Sequence, residues 1–206
     1  MLDGWARKRI DPALDAIAGS LHAAGVPANA ITISAFAIGV AAAVAIAVGA
    51  LWTGLILILA SRLCDGLDGA VAMRAGRTDL GGYLDIVLDF AFYGMIPLAF
   101  VILDPMANGI AGALLIAAFY ANGASFLAYA IMAEKRGISD DARGTKSLFF
   151  TTGLAEATET IAVFVAFCLF PAWFPVLAYS FAALTAYTCL SRVVLAWKQF
   201  GEPNGT

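Results

Sequence analysis

The chain has 206 residues, of which 62% are hydrophobic and only 13% are charged. Its mean hydropathy of +0.86, with the apolar residues in long runs, excludes an ordinary soluble domain and indicates an integral membrane protein. A formal net charge of −3 says little about the partners of a membrane protein. We predict membrane lipids as its surroundings and no nucleic-acid partner.

The first predicted element is a short amphipathic helix over residues 10–25. Ile10, Leu14, Ile17 and Leu21 recur there at helical spacing, with polar residues between them. An aspartate–proline pair near its beginning is typical of a helix start. We therefore expect a juxtamembrane helix that lies on the membrane surface.

Six apolar runs follow, each close to the roughly 20 residues that a bilayer-spanning helix needs. Their approximate bounds are 28–50, 52–74, 80–103, 109–133, 148–170 and 174–197. The sequence thus predicts an all-α integral membrane fold with six transmembrane helices, preceded by the surface helix. All 206 residues are assigned to this single membrane domain.

The basic residues predict the orientation of these spans. The loops after the first, third and fifth spans contain no Lys or Arg, whereas the termini and the other loops do. Because cytoplasmic loops carry an excess of positive charge, we expect both termini and the loops after spans two and four to be cytoplasmic. The predicted location is the inner membrane of a bacterium.

Four aspartates lie near the cytoplasmic connection between the second and third spans. Asp65 and Asp68 are three residues apart, and Asp85 and Asp89 are four apart, so each pair shares one helix face. Four carboxylates in an apolar environment need a cation to neutralise them. Ligands that are all oxygens favour a hard ion, and we expect Mg²⁺ or Mn²⁺, with two ions as in phosphoryl-transfer sites.

Two other roles for these aspartates need no bound metal, and the sequence supports them less well than a metal site. The carboxylates could pair with Arg62 or line a cation pathway, as in a cation-coupled transporter. Glycines beside the carboxylates, such as Gly66 and Gly82, favour a ligand site, since small residues leave room against the backbone. A different Asp-rich, metal-dependent membrane transferase acting on a diphosphate, such as a prenyltransferase, also stays open.

The aspartates belong to a longer spaced pattern, made of Asp65, Asp68, Gly69, Ala72, Gly81, Asp85 and Asp89. This pattern resembles the signature of the CDP-alcohol phosphatidyltransferase family, D-x-x-D-G-x-x-A-R followed by G-x-x-x-D-x-x-x-D. Met73 stands where the signature has arginine, and Arg74 follows it. An inactive member of the family is therefore a further alternative.

The resemblance implies an enzyme of phospholipid biosynthesis. A CDP-linked lipid, commonly CDP-diacylglycerol, would donate its phosphatidyl group to an alcohol acceptor, and CMP would leave. In this chemistry Asp65, Asp68 and Asp85 would be metal ligands. Asp89 would be the fourth metal ligand or the catalytic base that takes the proton of the alcohol.

The same resemblance places further residues around the nucleotide. Gly69, Ala72 and Gly81 would border it, and Arg74 would do the work of the missing signature arginine from the adjacent position. The family resemblance also predicts a homodimer. Residues expected at its interface are small or aromatic ones of spans three and four, namely Phe90, Phe92, Tyr93, Gly94 and Gly112.

Two glutamates lie inside the fifth span. Glu156 and Glu159 are three residues apart, and a carboxylate inside a membrane is a functional candidate by default. We expect them to line the acceptor pocket and to favour a polyol or a cationic amino alcohol over an anionic acceptor. The alternative is a structural ion pair with Arg62 or Arg192.

Overall fold

The computed structural model describes residues 14–137 and 157–201, and in these two segments the regular structure is helical, without a β-strand. The prediction of an all-α fold is confirmed. Helix α1 is described over residues 14–23. The remaining elements are α2 (Ala28–Ala47), α3 (Leu51–Ala75), α4 (Asp79–Leu103), α5 (Pro105–Lys135), α6 (Ala157–Leu169), a 3₁₀ turn (Pro171–Trp173) and α7 (Phe174–Phe200).

Two helices begin or end at residues other than those predicted from the sequence, and local interactions explain both differences. Helix α2 ends at Ala47 because Gly49 adopts a φ of +85°, a left-handed conformation that does not continue a right-handed helix. Helix α5 begins at Pro105, four residues before the predicted span. There the Asp104 carboxylate accepts a hydrogen bond from the Ala107 amide at 3.0 Å and caps the helix.

Within residues 14–137 and 157–201, four helical segments are long and apolar enough to cross a membrane: α2, α4, α5 and the segment from Pro171 to Phe200. Helix α3 has 25 residues, but from its middle onward it carries the ionisable residues Arg62, Asp65 and Asp68. The predicted fifth span begins at residue 148, outside the described residues, and α6 is described over 13 residues. The count of six spans therefore stays a prediction.

The interior of the bundle is largely aromatic. Helix α2 packs against α3 and α4, and α5 packs against α4 and α7. Between them Phe92, Phe100, Phe164, Phe167 and Phe174 are fully buried. The rings of Phe100 and Phe174 stack at a centroid distance of 5.0 Å, a separation at which aromatic pairs attract each other.

This packing corrects the predicted dimer interface. Phe92 is 0% exposed within a single chain. A Cβ placed on Gly112 would lie 2.2 Å from Val101 Cγ2 of the same chain. Phe92 and Gly112 are thus used to pack α2, α4 and α5 together, and the prediction that they face a partner is wrong. Gly94, in contrast, has open space around it.

Candidate active site

An open cleft separates α3 from α4. Thr78 begins α4 by accepting a hydrogen bond from the Gly81 amide at 3.1 Å, and Gly76 ends α3 with a φ of +97°. The two helices are joined by three residues, yet their backbones come close at very few points, whereas α2 packs against both. Helices α3 and α4 therefore form the two sides of a cleft that has α2 at its back.

Three of the predicted metal ligands meet in this cleft. Carboxylate oxygens of Asp65, Asp68 and Asp85 lie within 4.8 Å of one another. Asp68 is 6% exposed, and its buried Oδ2 atom has no hydrogen-bond partner among residues 14–137 and 157–201, while Asp85 is exposed. A buried carboxylate oxygen without a donor is costly unless a cation reaches it. The oxygen-only donor set and the unsatisfied Asp68 oxygen both fit a hard divalent ion such as Mg²⁺ or Mn²⁺.

Asp89 is held differently from the other three aspartates. Its Oδ1 atom accepts a hydrogen bond from Arg62 Nη1 at 2.6 Å, and the same nitrogen lies 3.4 Å from Asp65 Oδ2. Asp89 is not one of the three carboxylates whose oxygens converge. The Arg62 guanidinium thus links Asp89 of α4 to Asp65 of α3.

The position of Arg62 is fixed on three sides. Its guanidinium carbon lies 3.9 Å from the centroid of the Phe92 ring, within the range of a cation–π contact. Its Nη2 donates to Ser61 Oγ at 3.1 Å, and Ser61 donates in turn to the Ala35 carbonyl at 2.8 Å. The Arg62 side chain is only 9% exposed, and its guanidinium lies at the end of the cleft away from the α3–α4 connection.

Two residues of α2 complete the cleft and were missed by the sequence analysis. Thr32 lies next to Asp68. A Cβ placed on Gly81 would lie 3.0 Å from Asn29 Oδ1. No motif marks these residues, and only the docking of the first turns of α2 against α3 and α4 brings them to the site.

The glycines of the motif have different surroundings. A Cβ placed on Gly69 or Gly82 would meet no atom within 4 Å, so both leave open space beside the carboxylates. Gly81 instead faces Thr78 and Asn29 at contact distance. Ala72 is half-buried at the cleft side of α3. Of the residues predicted to border a nucleotide, Gly69 provides open room and Gly81 permits the turn into α4.

Arg74 points to α1. Its Nη2 atom lies 2.8 Å from Asp15 Oδ1 and donates to the Asp15 carbonyl at 3.1 Å. Met73, in the position of the signature arginine, is 64% exposed. The sequence did not predict this pairing of Arg74 with Asp15, which competes with the predicted nucleotide contact of Arg74.

The two glutamates predicted for the acceptor pocket are only partly described. Glu156 lies outside the described residues. Glu159 is in the first turn of α6, where its Oε2 atom is buried. Arg62 is paired with aspartates, and Arg192 donates to Asn122 Oδ1 at 2.9 Å and to Ser125 Oγ at 2.7 Å.

Comparison with known proteins identifies relatives along nearly the whole chain. The family model described as CDP-alcohol phosphatidyltransferase matches residues 26–197. The inner membrane protein YnjF of Escherichia coli (strain K12) is 45% identical over 193 residues, which are 94% of each chain. An archaetidylinositol phosphate synthase of Methanothermobacter thermautotrophicus is 32% identical over 199 residues, covering 94% of this chain and 91% of that one.

A solved structure shares the fold. The crystal structure of a Mycobacterium tuberculosis phosphatidylinositol phosphate synthase, PgsA1, with CDP-DAG bound superimposes with a TM-score of 0.68. It is 22% identical, and the match covers 89% of this chain and 93% of that one. The helical arrangement described above is therefore the arrangement of a known membrane protein.

Proposed function

Because the chain belongs to the CDP-alcohol phosphatidyltransferase family, whose members transfer a phosphatidyl group from a CDP-linked lipid to an alcohol, we propose that the α3–α4 cleft is its active site. In this proposal Asp65, Asp68 and Asp85 hold the divalent ions. The observation that carries it is the convergence of their oxygens within 4.8 Å of one another, together with a buried Asp68 oxygen that has no hydrogen-bond partner among the described residues. The exposed Asp85 connects the site to water.

The reaction exchanges one phosphorus–oxygen bond for another. The acceptor hydroxyl forms a bond to the phosphorus joined to the lipid, the bond from that phosphorus to CMP breaks, and the hydroxyl proton passes to a base. Divalent ions held by Asp65, Asp68 and Asp85 would neutralise the diphosphate and stabilise the attacking and leaving oxygens. Asp89 is the proposed base or fourth ligand, and the ion pair with Arg62 fixes its orientation. The open space at Gly69 and Gly82 accommodates the diphosphate beside the carboxylates.

The number of ions and the membrane orientation are also part of the proposal. Two ions of Mg²⁺ or Mn²⁺ fit a diphosphate substrate, since two metals can clamp both oxygens of the displacement. The chain is a membrane protein, and the name of its Escherichia coli relative places that relative in the inner membrane. The distribution of Lys and Arg supports a cytoplasmic site with both termini on the same side.

The direct test measures CMP release from CDP-diacylglycerol by the purified protein in detergent or nanodiscs. We expect release that depends on an added alcohol, disappears with EDTA and returns with Mg²⁺ or Mn²⁺. The family assignment speaks against the prenyltransferase and the transporter. Metal-replete protein that releases no CMP with any head-group alcohol would identify an inactive member, the alternative raised by Met73.

The acceptor remains open between two chemistries. The glutamates of the fifth span favour a polyol or an amino alcohol, as predicted from the sequence. Arg192 favours a phosphorylated acceptor, since in residues 14–137 and 157–201 its partners are neutral: Asn122 and Ser125. An ionisable residue inside a membrane is a functional candidate by default.

Contacts along the bundle connect Arg192 to the cleft. Phe90, the neighbour of Asp89, packs so closely on α5 that a Cβ on Gly123 would lie 2.5 Å from its ring. Gly123 follows Asn122, which holds Arg192. A relative of 32% identity is named for a product that contains inositol phosphate, which supports the same choice.

Variants of Arg192 and of the two glutamates distinguish a phosphorylated acceptor from a neutral or cationic one. If the acceptor is phosphorylated, Arg192→Gln should raise its KM about 10- to 100-fold, because a charge-assisted hydrogen bond contributes about 1.5 to 3 kcal/mol. If it is a neutral or cationic alcohol, Glu156→Gln and Glu159→Gln should be the damaging changes. Turnover would be compared with inositol phosphate, glycerol phosphate, inositol and serine. Wild-type enzyme that uses only phosphorylated acceptors would refute the prediction from the glutamates.

We also propose that the chain is a homodimer, as the family resemblance implies. The burial of Phe92 and Gly112 within one chain removes these two residues from the predicted interface, whereas Gly94 stays in it. The open surface at Gly94 is a candidate position for it, because small residues allow close helix packing in membranes. Mass measurement in lipid nanodiscs tests the proposal, and a monomer would refute it.

A further inference from the structure

The second half of α3 presents two different faces. Asp65 and Asp68 face the cleft, as the convergence of their oxygens with Asp85 shows. Gly66 and Arg74 are eight residues apart, which places them on one common face of the helix, two turns from each other. This second face is the one that α1 covers.

Three contacts join α1 to this face. A Cβ placed on Gly66 would lie 3.1 Å from Leu14 Cδ1. Ala18 is fully buried in a small apolar cluster that α1 shares with α2 and α3. Farther along, Arg74 pairs with Asp15 at 2.8 Å and donates to its carbonyl oxygen. Helix α1 thus lies against the stretch of α3 that carries two metal ligands.

That stretch of α3 needs support from outside. Gly66 and Gly69 lie beside Asp65 and Asp68, and a glycine in a helix interior is less favourable than alanine. The carboxylates also repel one another while no cation is bound. Packing against neighbouring elements stabilises such a helical segment, and α1 is the neighbour at Gly66.

We propose that Arg74 is a positioning residue that acts through α1. Its contact with Asp15 clamps α1 onto α3 and so holds Asp65 and Asp68 in the arrangement that binds divalent ions. The inference rests on the proposed metal role of the cleft, and it replaces the nucleotide contact expected for Arg74. An exposed ion pair contributes up to about 1 kcal/mol, so its loss weakens metal binding by a graded amount, roughly two- to fivefold.

The test has two readouts that do not require turnover. The first is the rate at which a water-soluble maleimide labels Leu21→Cys, a half-buried position of α1. It is measured in protein whose cysteines Cys64, Cys168 and Cys189 are replaced by alanine. The second is the affinity for Mn²⁺ alone, measured by electron paramagnetic resonance without CDP-lipid. Arg74→Ala should raise both the labelling rate and the Mn²⁺ dissociation constant, roughly two- to fivefold.

A charge exchange and a matched control sharpen the test. The double variant Asp15→Lys with Arg74→Glu should restore both readouts toward wild type, whereas Arg74→Glu alone should not. Arg77→Ala removes an exposed positive charge just beyond the same helix end and should change neither readout.

The outcomes separate this inference from the proposed function. If Arg74→Ala raises only the KM for CDP-lipid and leaves labelling and Mn²⁺ binding unchanged, Arg74 contacts the nucleotide and the inference is overturned. Wild-type protein that binds no Mn²⁺ would overturn the metal site itself, and the inference with it. Increased labelling together with weaker Mn²⁺ binding in Arg74→Ala supports the clamp.

Discussion

Replacement of Asp68 by asparagine is expected to lower turnover by about 10³-fold while the protein still folds. Asp68 is the buried carboxylate of the cleft, and its Oδ2 atom has no hydrogen-bond partner in the part of the chain that the structure describes. Loss of one metal ligand removes several kcal/mol of charge stabilisation in the transition state, and each 1.36 kcal/mol is a factor of ten in rate. The measurement is CMP release at saturating CDP-diacylglycerol and acceptor, over a range of Mg²⁺ concentrations.

The stability of the metal-free protein provides an internal check. An asparagine at position 68 removes one of three mutually repelling charges, so the thermal midpoint without metal should not fall. EDTA should lower the midpoint of the wild type and change that of Asp68→Asn much less. The control is Asp79→Asn, an exposed aspartate in the first turn of α4, which should keep turnover near the wild-type value. Near-normal turnover in Asp68→Asn would remove Asp68 from the proposed site.

Replacement of Arg62 by alanine is expected to have the largest effect on stability. The Arg62 side chain is 9% exposed and lies 2.6 Å from Asp89 and 3.4 Å from Asp65. Removing one partner of a buried ion pair leaves a charge without compensation and costs about 3 to 5 kcal/mol. The cation–π contact with Phe92 is lost as well. The free energy of unfolding, measured by denaturant titration in mixed micelles, should fall by that amount.

A second variant separates the ion pair from simple loss of packing. Arg62→Ala combined with Asp89→Ala leaves less uncompensated charge, so the double variant should be more stable than Arg62→Ala alone. Mg²⁺ should also stabilise Arg62→Ala more than the wild type, because the ion can neutralise Asp65 in place of the guanidinium. If the two changes are simply additive, the pair does not contribute to stability as an interacting unit.

The helices, and the meeting of Asp65, Asp68 and Asp85, could be predicted from the sequence for a simple physical reason. Long apolar runs have few alternatives to helices in a bilayer, since every backbone polar group must be satisfied internally. Spacing on a helix then decides which residues share a face, so Asp65 and Asp68 had to lie together. Their meeting with Asp85 follows from the short connection between α3 and α4.

What the sequence could not predict depends on contacts between distant segments. The role of Arg62 as partner of Asp89 depends on which helix face meets α4, and periodicity alone leaves that open. Thr32 reaches the site only because α2, at the back of the cleft, packs against both α3 and α4. Arg74 looked like a substitute for the signature arginine, but a side chain one residue further along a helix points about 100° away, here toward Asp15.

The close contact between α2 and α4 determines what can pass through the cleft. A Cβ on Gly39 would lie only 2.7 Å from the Phe92 ring, and this ring is completely buried beneath Arg62. The described helices therefore close the inner end of the cleft with an aromatic ring and a cation. In the proposed site, CMP would leave by the end at which the nucleotide entered, and residues 14–137 and 157–201 provide no passage past the Phe92 ring for ions drawn to the carboxylates. A membrane containing this protein should therefore keep its ion gradients while the enzyme turns over.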